Sequence, residues 1–304
     1  MKKIDIHVHV IYPRDEMEKK REIPRPGSQY TFADPEELIA LYDRLGIEKG
    51  ILLPLVSPEG MHRTISNEET YAIVEKYPDR FDWFCSLDPR WDTNKEDTDL
   101  GYFIEHYKSL GAKGIGEVTS NLEFDDPKVQ NLLYYAQKHN MPFLFHIAAK
   151  NDPYGLKDDL GLPRLERMLK TFSKLTFIGH SASFWSEISK DVKEENRGTY
   201  VGGPVVAGGR IPYFMENYPN LLLDISANSG FNAISRDPDF GYAFLERYQD
   251  RILYGTDICA PIEYNFYGME DFLQAGIKKK SLSLQAYYKI IRVNAEKLLG
   301  YDKD

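Results

Sequence analysis

We predict that this 304-residue chain folds as a (β/α)8 TIM barrel, an α/β architecture, somewhat distorted and extended by extra C-terminal helices. Three observations support the prediction. Eight apolar runs of strand length recur along the sequence, stretches with helical periodicity separate them, and residues that can bind a metal ion stand at the ends of several runs. Since about 250 residues are enough for such a barrel, we expect a single domain over residues 1–304.

The predicted strands are nearly continuous apolar runs, as is typical of strands covered by helices on one face and by packed side chains on the other. They span residues 4–10, 49–55, 81–87, 112–118, 142–147, 174–180, 220–225 and 251–257. The same alternation of strands and helices would fit an open doubly wound sheet. The count of eight strands and the polar residues at their ends favour a closed barrel.

The predicted helices lie between these strands. They span residues 34–45, 67–76, 98–110, 127–140, 162–172, 210–217 and 237–248. The first opens with DPEEL, which places acidic side chains in the first turn, where they interact favourably with the helix dipole. Each helix can therefore connect two parallel strands.

Three segments exceed a minimal barrel. Residues 11–33 contain several prolines and form a long first loop. Residues 181–209 are rich in glycine and longer than most loops without secondary structure, which suggests a lid or binding loop. Residues 268–304 read as helices added after the eighth strand. The middle segment should therefore define the substrate side of a site.

The composition excludes several classes of partner. The chain has 38 Lys and Arg against 47 Asp and Glu, a net charge of −9, whereas proteins that bind nucleic acid rely on basic charge. The same acidic charge makes an anionic membrane surface an unsuitable partner. The sequence contains no run of about 18 apolar residues, the length needed to span a membrane. Cys85 and Cys259 are too few for a disulfide scaffold. We therefore expect a cytoplasmic protein with reduced thiols and a small-molecule substrate.

The C-terminal ends of the predicted strands carry six residues that can bind a metal ion. They are His7, His9, Glu117, His146, His180 and Asp257. The last four are separated by about 30 residues or by multiples of that length, which is one βαβ unit. Imidazoles and carboxylates at the mouth of an apolar barrel are costly unless something binds them, and a divalent cation satisfies all of them. The sequence therefore predicts a metal site at this rim.

Alternation of side chains along a strand predicts which residues face the barrel interior. On the first strand it places His7 and His9 inward and Ile6, Val8 and Val10 toward the helices. On later strands the inward pairs are Ile115 with Glu117, Leu144 with His146, Ile178 with His180 and Leu253 with Asp257. Asp5 is expected to face inward below His7 as a structural hydrogen-bond acceptor, and the alternative is an outer-shell role at the metal site.

Six motifs accompany these positions: HVH, FLFH, FIGH, YPNLLLDIS and LYGTD on the strands, and NAEKLLG near the C-terminus. Together they cover nearly the whole chain, and an HxH pair with a late GTD is a specific combination. The sequence resembles the amidohydrolase superfamily, in particular the amidohydrolase-related (amidohydrolase 2) branch. This branch contains hydrolases and decarboxylases of small organic acids, so the resemblance implies a metal-dependent enzyme.

The resemblance also implies roles for the predicted ligands. In the family, the histidine pair of the first strand, the histidine of the fifth and the aspartate of the eighth commonly hold a catalytic metal, often zinc. These are His7, His9, His146 and Asp257. Asp257 would also take the proton of the attacking water and pass it to the leaving group. With one ion, His180 would polarise the scissile group or move a proton; with two, it would be a ligand.

Glu117 departs from the pattern of the family's decarboxylases, which usually lack an acidic residue at this place. Binuclear relatives in the wider superfamily have a carboxylate there that bridges two metal ions. In that arrangement Glu117 spans both ions, His7, His9 and Asp257 hold one, and His146 and His180 hold the other. The alternative is that Glu117 accepts a hydrogen bond that orients a ligand imidazole. The sequence leaves both open.

We predict a metal-dependent hydrolase of a small polar or anionic carbonyl compound, such as a lactone, ester or amide. A divalent ion lowers the pKa of its bound water to about 7 and polarises a carbonyl group. One alternative is a non-hydrolytic decarboxylase of a small unsaturated or aromatic acid, which the family branch permits. Another is a non-catalytic barrel that binds a metabolite. With 21 tyrosines, self-association into a homo-oligomer is a reasonable expectation.

Polar residues of the predicted loops are candidates for substrate binding. They are Arg14, Ser183, Trp185, Arg197, Arg210 and Asn228. The serine and the tryptophan follow His180 almost directly, so we expect them near the metal. The arginines can each bind a substrate carboxylate through two parallel hydrogen bonds. The asparagine follows the seventh strand and should face the mouth of the barrel.

Overall fold

The structure is a computed structural model that describes residues 1–11, 33–59, 64–148, 151–259 and 267–301. Arg14 and nearly all of the predicted first loop lie outside the described residues. Within those residues, strands and helices alternate in the order that the sequence predicts.

Parallel strands form the centre of the described structure. In chain order they are β1 (Lys3–Val8), β2 (Ile47–Leu52), β3 (Phe81–Trp83), β4 (Ile115–Val118), β5 (Phe143–His146), β6 (Phe177–His180), β7 (Leu221–Asp224) and β8 (Ile252–Leu253). Each overlaps one predicted apolar run, so the prediction of eight strands is confirmed. Most are shorter than predicted, because the chain leaves the regular ladder at the rim.

The helices surround these strands. They are α1 (Pro35–Leu45), α2 (Asn67–Lys76), α3 (Gly101–Ser109), α4 (Pro127–Lys138), α5 (Pro163–Thr171), α6 (Ala182–Trp185), α7 (Arg210–Asn217), α8 (Ala227–Ser235), α9 (Pro238–Arg247), α10 (Tyr267–Lys279), α11 (Leu284–Tyr288) and α12 (Asn294–Leu299). The last three are the predicted C-terminal additions, whereas α6 and α8 were not predicted. Among the described helices, none has the length and apolar character needed to cross a membrane.

Local sequence fixes where several helices begin. Asp34 caps α1: its carboxylate accepts a hydrogen bond from Glu37 N (2.9 Å), and the Glu37 carboxylate accepts one from Asp34 N (3.0 Å). The hydroxyl of Ser66 caps α2 by accepting from Glu69 N (3.1 Å). These caps satisfy N–H groups that the helix itself cannot, so each helix starts at a defined residue.

Two irregular joins close the strands into a barrel. β1 to β3 form one parallel sheet and β4 to β8 form another. At the first join, Cys85 N donates a hydrogen bond to Gly114 O (3.0 Å), between the ends of β3 and β4. At the second, Asp257 N donates to His7 O (2.8 Å), which links the chain after β8 to β1. The predicted (β/α)8 barrel is confirmed. The two irregular joins are where it departs from a regular barrel.

Apolar side chains from the strands fill the barrel interior. They are Ile4, Ile6, Ile51, Leu53, Phe84, Leu144, Ile178 and Leu253, and Ala295 and Leu299 of α12 join the same cluster. Gly114 leaves room for the large ring of Phe84, since a Cβ at this glycine would lie 2.7 Å from it. The inward positions predicted for Leu144, Ile178 and Leu253 are confirmed.

Three predicted orientations are wrong. Ile6 faces the barrel interior, because the register of β1 against β2 shifts after Asp5. Asp5 contacts the hydroxyl of Tyr42 in α1 and so faces the helix layer. Ile115 belongs to the outer core although Glu117 faces the rim, because the register of β4 against β5 shifts after Ile115. Since the side-chain period of a strand is two, one irregular residue reverses the pattern.

The segment predicted as a lid is fastened to the barrel. It begins with the buried helix α6 and a 3-10 turn over Ser186–Ile188. Beyond this turn, Lys190 N donates to Val206 O (3.0 Å) and Val205 N donates to the carboxylate of Asp237 (2.9 Å) at the start of α9. The segment is therefore a folded wall beside the rim.

Candidate metal centre

Six side chains from five strands converge at the C-terminal rim of the barrel. His7 lies in β1 and His9 just after it, Glu117 in β4, His146 in β5, His180 in β6 and Asp257 after β8. They form three overlapping groups, in each of which the candidate ligand atoms lie within 4.8 Å of one another. The groups are His7, His180 and Asp257; His7, His9 and Glu117; and Glu117, His146 and His180. The structure thus brings together every residue that the sequence singled out as a metal ligand.

The imidazoles of His7 and His9 face each other, with their Nε2 atoms 3.1 Å apart. His9 Nδ1 donates to Leu53 O (2.9 Å), and His7 Nδ1 donates to Asp224 Oδ2 (2.7 Å). A carbonyl and a carboxylate can only accept, so in each neutral imidazole the lone pair is on Nε2. Two lone pairs at this distance repel unless a proton or a metal ion lies between them. Two imidazole ligands of a tetrahedral zinc ion would be about 3.3 Å apart, so the pair fits a metal.

The centre holds more negative charge than neutral imidazoles can offset. Burial lowers the pKa of His7, but the carboxylates of Asp257, Asp224 and Glu117 outweigh burial and raise this pKa to about 10. Burial raises the pKa of Asp224, yet His7 and His180 outweigh it and hold the pKa below its usual range. Without a metal, a proton on His7 therefore supplies the positive charge that the centre requires.

Metal binding is expected to release a proton and to strengthen as pH rises. Because the pKa of His7 is raised to about 10 in the metal-free protein, an ion must displace a proton from this imidazole at neutral pH. The apparent affinity should rise by up to about tenfold per pH unit between about pH 6 and 8. Titration of metal-free protein with Zn²⁺ in a series of buffers measures both effects. A constant affinity without proton release would contradict this expectation.

Asp224, at the end of β7, is a functional residue that sequence reasoning missed. Its fully buried Oδ2 accepts the hydrogen bond from His7 and lies 3.1 Å from His180 Nδ1. Ser226 Oγ donates to the same oxygen (2.8 Å) and lies 3.0 Å from His180 Nδ1. One carboxylate therefore orients two imidazoles and turns both Nε2 atoms toward the centre. The sequence feature that could have identified Asp224 is its position at the end of the buried strand LLLD.

Glu117 is held by two hydrogen bonds. His146 Nδ1 donates to its Oε1 (2.8 Å), and Tyr154 Oη donates to its Oε2 (3.0 Å). The same Oε2 lies 3.4 Å from His9 Nε2 and 3.8 Å from His7 Nε2. One oxygen thus orients an imidazole while the other faces the first histidine pair, which combines features of both predicted roles. Tyr154 was not predicted, because no pattern marks a tyrosine in the loop after β5.

Asp257 stands between the histidines and a cavity. Its Oδ1 lies 3.5 Å from the Nε2 atoms of both His7 and His9, and its Oδ2 lies 3.6 Å from His180 Nε2. Its side chain is 24% exposed, whereas His7 is fully buried. The adjoining cavity of about 160 Å³ is lined mainly by aromatic and apolar side chains, including Tyr200, Ile225, Phe231 and Met269. Asp257 can therefore contact both a bound ion and a molecule in the cavity.

The predicted substrate residues have different surroundings. Asn228 lines the cavity beside Asp257. Trp185 is buried behind the centre, where its indole N–H donates to Asp224 O (2.9 Å), and Ser183 is buried in the same short helix, α6. Trp185 therefore supports the end of β7, and among these residues Asn228 borders the described cavity. Arg14 lies outside the described residues.

Arg197 and Arg210 both have hydrogen-bond partners within the chain. Arg197 is buried, its Nη1 donates to Asp158 O (2.6 Å), and its Nε lies 3.3 Å from Glu187 Oε1. Arg210 Nε donates to Gly161 O (2.7 Å). Both guanidinium groups thus fasten the chain around α6 and α7 to the loop before α5, and their binding of a substrate carboxylate stays a prediction.

Comparisons with known proteins agree with the fold. The family profile described as Amidohydrolase matches residues 4–301. An uncharacterised TIM-barrel protein from Bordetella bronchiseptica is 20% identical, with 99% of each chain covered and a TM-score of 0.65. Comparison with curated proteins gave no match.

Two further solved structures are enzymes by their descriptions. A protein from Pseudomonas putida, assigned as a 2-pyrone-4,6-dicarboxylic acid hydrolase, is 15% identical over 100% of this chain and 99% of its own, with a TM-score of 0.61. A dihydroxybenzoic acid decarboxylase from a Polaromonas species, solved with manganese and 2-nitroresorcinol, is 19% identical over 100% of this chain and 98% of its own, with a TM-score of 0.57. At these identities, the likenesses show the fold alone.

Proposed function

The chain belongs to the amidohydrolase family, and from this premise we propose that it is a metal-dependent hydrolase. Its substrate would be a small polar or anionic carbonyl compound, such as a lactone, ester or amide. The convergence of six imidazole and carboxylate side chains beside an accessible cavity carries the proposal. A barrel that only binds a metabolite would have no use for such a set of ligands.

The residues fit a divalent ion, most simply zinc. His7, His9, His146 and Asp257 would hold it, since imidazole and carboxylate groups are common zinc ligands. The lone pairs of His7 and His9, directed at one point, support this assignment. Because the decarboxylase that shares this fold was solved with manganese, Mn²⁺ belongs in the same tests.

In this proposal, Asp257 is the group that transfers the proton of the attacking water. When bound, the ion would supply an activated water at neutral pH and polarise the substrate carbonyl. Asp257 borders the cavity, so its Oδ2 can take the proton of the attacking water and return it to the leaving group. His180 Nε2 lies 3.6 Å from this oxygen, and Asp224 and Ser226 hold its other ring nitrogen, so His180 can orient the reacting carbonyl.

The number of ions depends on Glu117. If Oε2 of Glu117 bridges two ions, His146 and His180 hold the second. If it does not, the hydrogen bond to His146 makes Glu117 a residue that orients a ligand. Elemental analysis separates the two arrangements, because about two ions per chain require the bridge.

A non-hydrolytic decarboxylase is the second candidate. The aromatic and apolar lining of the cavity, with Tyr200 and Phe231, suits a flat unsaturated or aromatic acid. The shared fold of the dihydroxybenzoic acid decarboxylase is consistent with this alternative. The two reactions differ in their products, since only hydrolysis consumes water and only decarboxylation releases carbon dioxide.

The test of the proposal combines metal removal with product analysis. We expect the purified protein to contain at least one Zn²⁺ or Mn²⁺ per chain and to hydrolyse members of a panel of small lactones, esters and amides. Removal of the metal with a chelator should lower turnover at least about a hundredfold, and added metal should restore it. Incorporation of ¹⁸O from labelled water into the product identifies hydrolysis. Release of carbon dioxide without ¹⁸O would favour the decarboxylase, and full turnover without metal would exclude both.

We also propose that residues 1–304 act as one unit in the cytoplasm. A homo-oligomer stays a prediction, and size-exclusion chromatography coupled to light scattering tests it. The net charge of −9 supports a small-molecule partner over nucleic acid or an anionic membrane surface.

A further inference from the structure

We propose that Asp5 is a positioning residue of the metal centre. Its carboxylate fixes His7 relative to Asp257 and thereby sets the affinity for the ion. The inference rests on the proposed function, because that function requires the ion. Asp5 is fully buried and lies two residues before His7, and neither the proposed ligands nor the proton transfer include it.

Each oxygen of the Asp5 carboxylate accepts two hydrogen bonds. Oδ1 accepts from His7 N (3.1 Å) and from Thr256 N (2.9 Å). Oδ2 accepts from Thr256 Oγ1 (2.5 Å) and from Tyr42 Oη (2.7 Å). The first donor belongs to a proposed ligand, and Thr256 is the neighbour of another, Asp257. A single buried group therefore connects both halves of the centre.

This connection lies at the join that closes the barrel. The regular part of β8 ends at Leu253, and beyond it the chain meets β1 through isolated hydrogen bonds. Ile6 N donates to Tyr254 O (3.1 Å), Asp257 N donates to His7 O (2.8 Å), and His9 N donates to Ile258 O (3.0 Å). Because so few bonds form this join, loss of the Asp5 carboxylate would let the segment that carries Asp257 move away from His7. The 3.5 Å distance between Asp257 Oδ1 and His7 Nε2 depends on that segment.

The helix layer is shaped to complete the group around Asp5. Tyr42 of α1 is fully buried, and its hydroxyl reaches the carboxylate across Gly50 of β2. Gly50 pairs with Asp5 in the ladder, and a Cβ at this position would lie 2.4 Å from Tyr42 Oη. Any larger residue would therefore displace the hydroxyl. Apolar packing of α1 on the sheet would not require a glycine at position 50. The hydrogen bond from Tyr42 to Asp5 does require it.

The test compares metal affinity with stability in Asp5→Asn. The amide keeps the shape of the side chain, and its NH2 group can donate to the hydroxyl oxygens of Tyr42 and Thr256, so the variant should fold. The amide oxygen still accepts from His7 N and Thr256 N, but more weakly than a charged carboxylate oxygen, and we expect the affinity for Zn²⁺ to fall about 10-fold. Competition with a colorimetric chelator measures the affinity, and thermal unfolding of the metal-free protein measures Tm. Tyr42→Phe removes one donor and should give a smaller fall.

Asp158→Asn is the matched control. Asp158 is another buried carboxylate, and it accepts hydrogen bonds from Arg164 N (3.0 Å) and Leu165 N (2.8 Å) at the start of α5. Among the described residues, its hydrogen bonds include none with a proposed ligand. We expect this variant to lower Tm and to leave the affinity for Zn²⁺ unchanged.

The outcomes separate this inference from the proposed function. An Asp5→Asn variant with lowered Tm but wild-type affinity for Zn²⁺ would show a merely structural role and overturn the inference alone. If Asp5→Asn does not fold, Tyr42→Phe and Thr256→Val decide, and unchanged affinity in both would overturn it. A wild-type protein that binds no divalent ion would overturn the proposed function and this inference together.

Discussion

Replacement of Asp257 by asparagine is expected to lower kcat by about 10²- to 10⁴-fold, the usual contribution of a positioned general base. An amide has the size of the carboxylate but cannot take a proton from water. The backbone of Asp257 is left-handed, with φ of 54°, a conformation that aspartate and asparagine adopt more readily than most residues. The variant should therefore keep the local fold while losing the chemistry. Steady-state kinetics and elemental analysis of the same preparation measure both.

Asp92→Asn provides the control for this experiment. Asp92 is also left-handed, with φ of 60°, and is exposed, so the same chemical change there should leave kcat unaltered. If Asp257→Asn retained wild-type turnover with its full content of metal, another group would have to take the proton. That result would reject the role given to Asp257, and His180, 3.6 Å away, would be the next group to replace.

The barrel could be predicted because its signal is local and repeated. Each βα unit has its own apolar run, and the inward positions of Leu144, Ile178 and Leu253 follow from simple alternation. The site residues could be predicted from the same local pattern. A polar side chain that ends a buried strand, such as His146 or His180, must lie at the rim of a closed parallel sheet. The six proposed ligands were therefore within reach of sequence reasoning.

The errors arise where the structure depends on contacts between distant residues. The orientations of Ile6 and Ile115 depend on register shifts against neighbouring strands, which no pattern within a single strand records. The burial of Arg197 and its hydrogen bond to Asp158 O also depend on a distant contact, and the sequence does not distinguish this arginine from an exposed one. Asp224 lies 217 residues from the imidazole that it orients. Hydrogen bonding across such separations is set by tertiary packing and not by local sequence.

Asp224→Asn is expected to lower the affinity for Zn²⁺ about 10- to 100-fold and kcat about 10²- to 10⁴-fold. Oδ2 of Asp224 faces ring N–H groups of His7 and His180, and Oδ1 accepts from Ser226 N (2.9 Å). If the amide oxygen keeps the bond to Ser226 N, the NH2 group opposes both rings. His7 must then move its proton to Nε2, which removes the lone pair that a metal ion requires. The chelator competition and kinetics used above measure both losses.

Ser226→Ala is the appropriate comparison, because it removes one hydroxyl from the same group while the Asp224 carboxylate remains. The carboxylate still accepts from His7 Nδ1 and still lies 3.1 Å from His180 Nδ1, so the loss should be smaller than in Asp224→Asn. Equal losses in the two variants would indicate general loosening of the end of β7. Wild-type affinity in Asp224→Asn would mean that His7 keeps its tautomer without the carboxylate, and the orienting role of Asp224 would then be wrong. Because Asp224 contacts both imidazoles, a loss of metal affinity and of kcat together is the result that a shared orienting group requires.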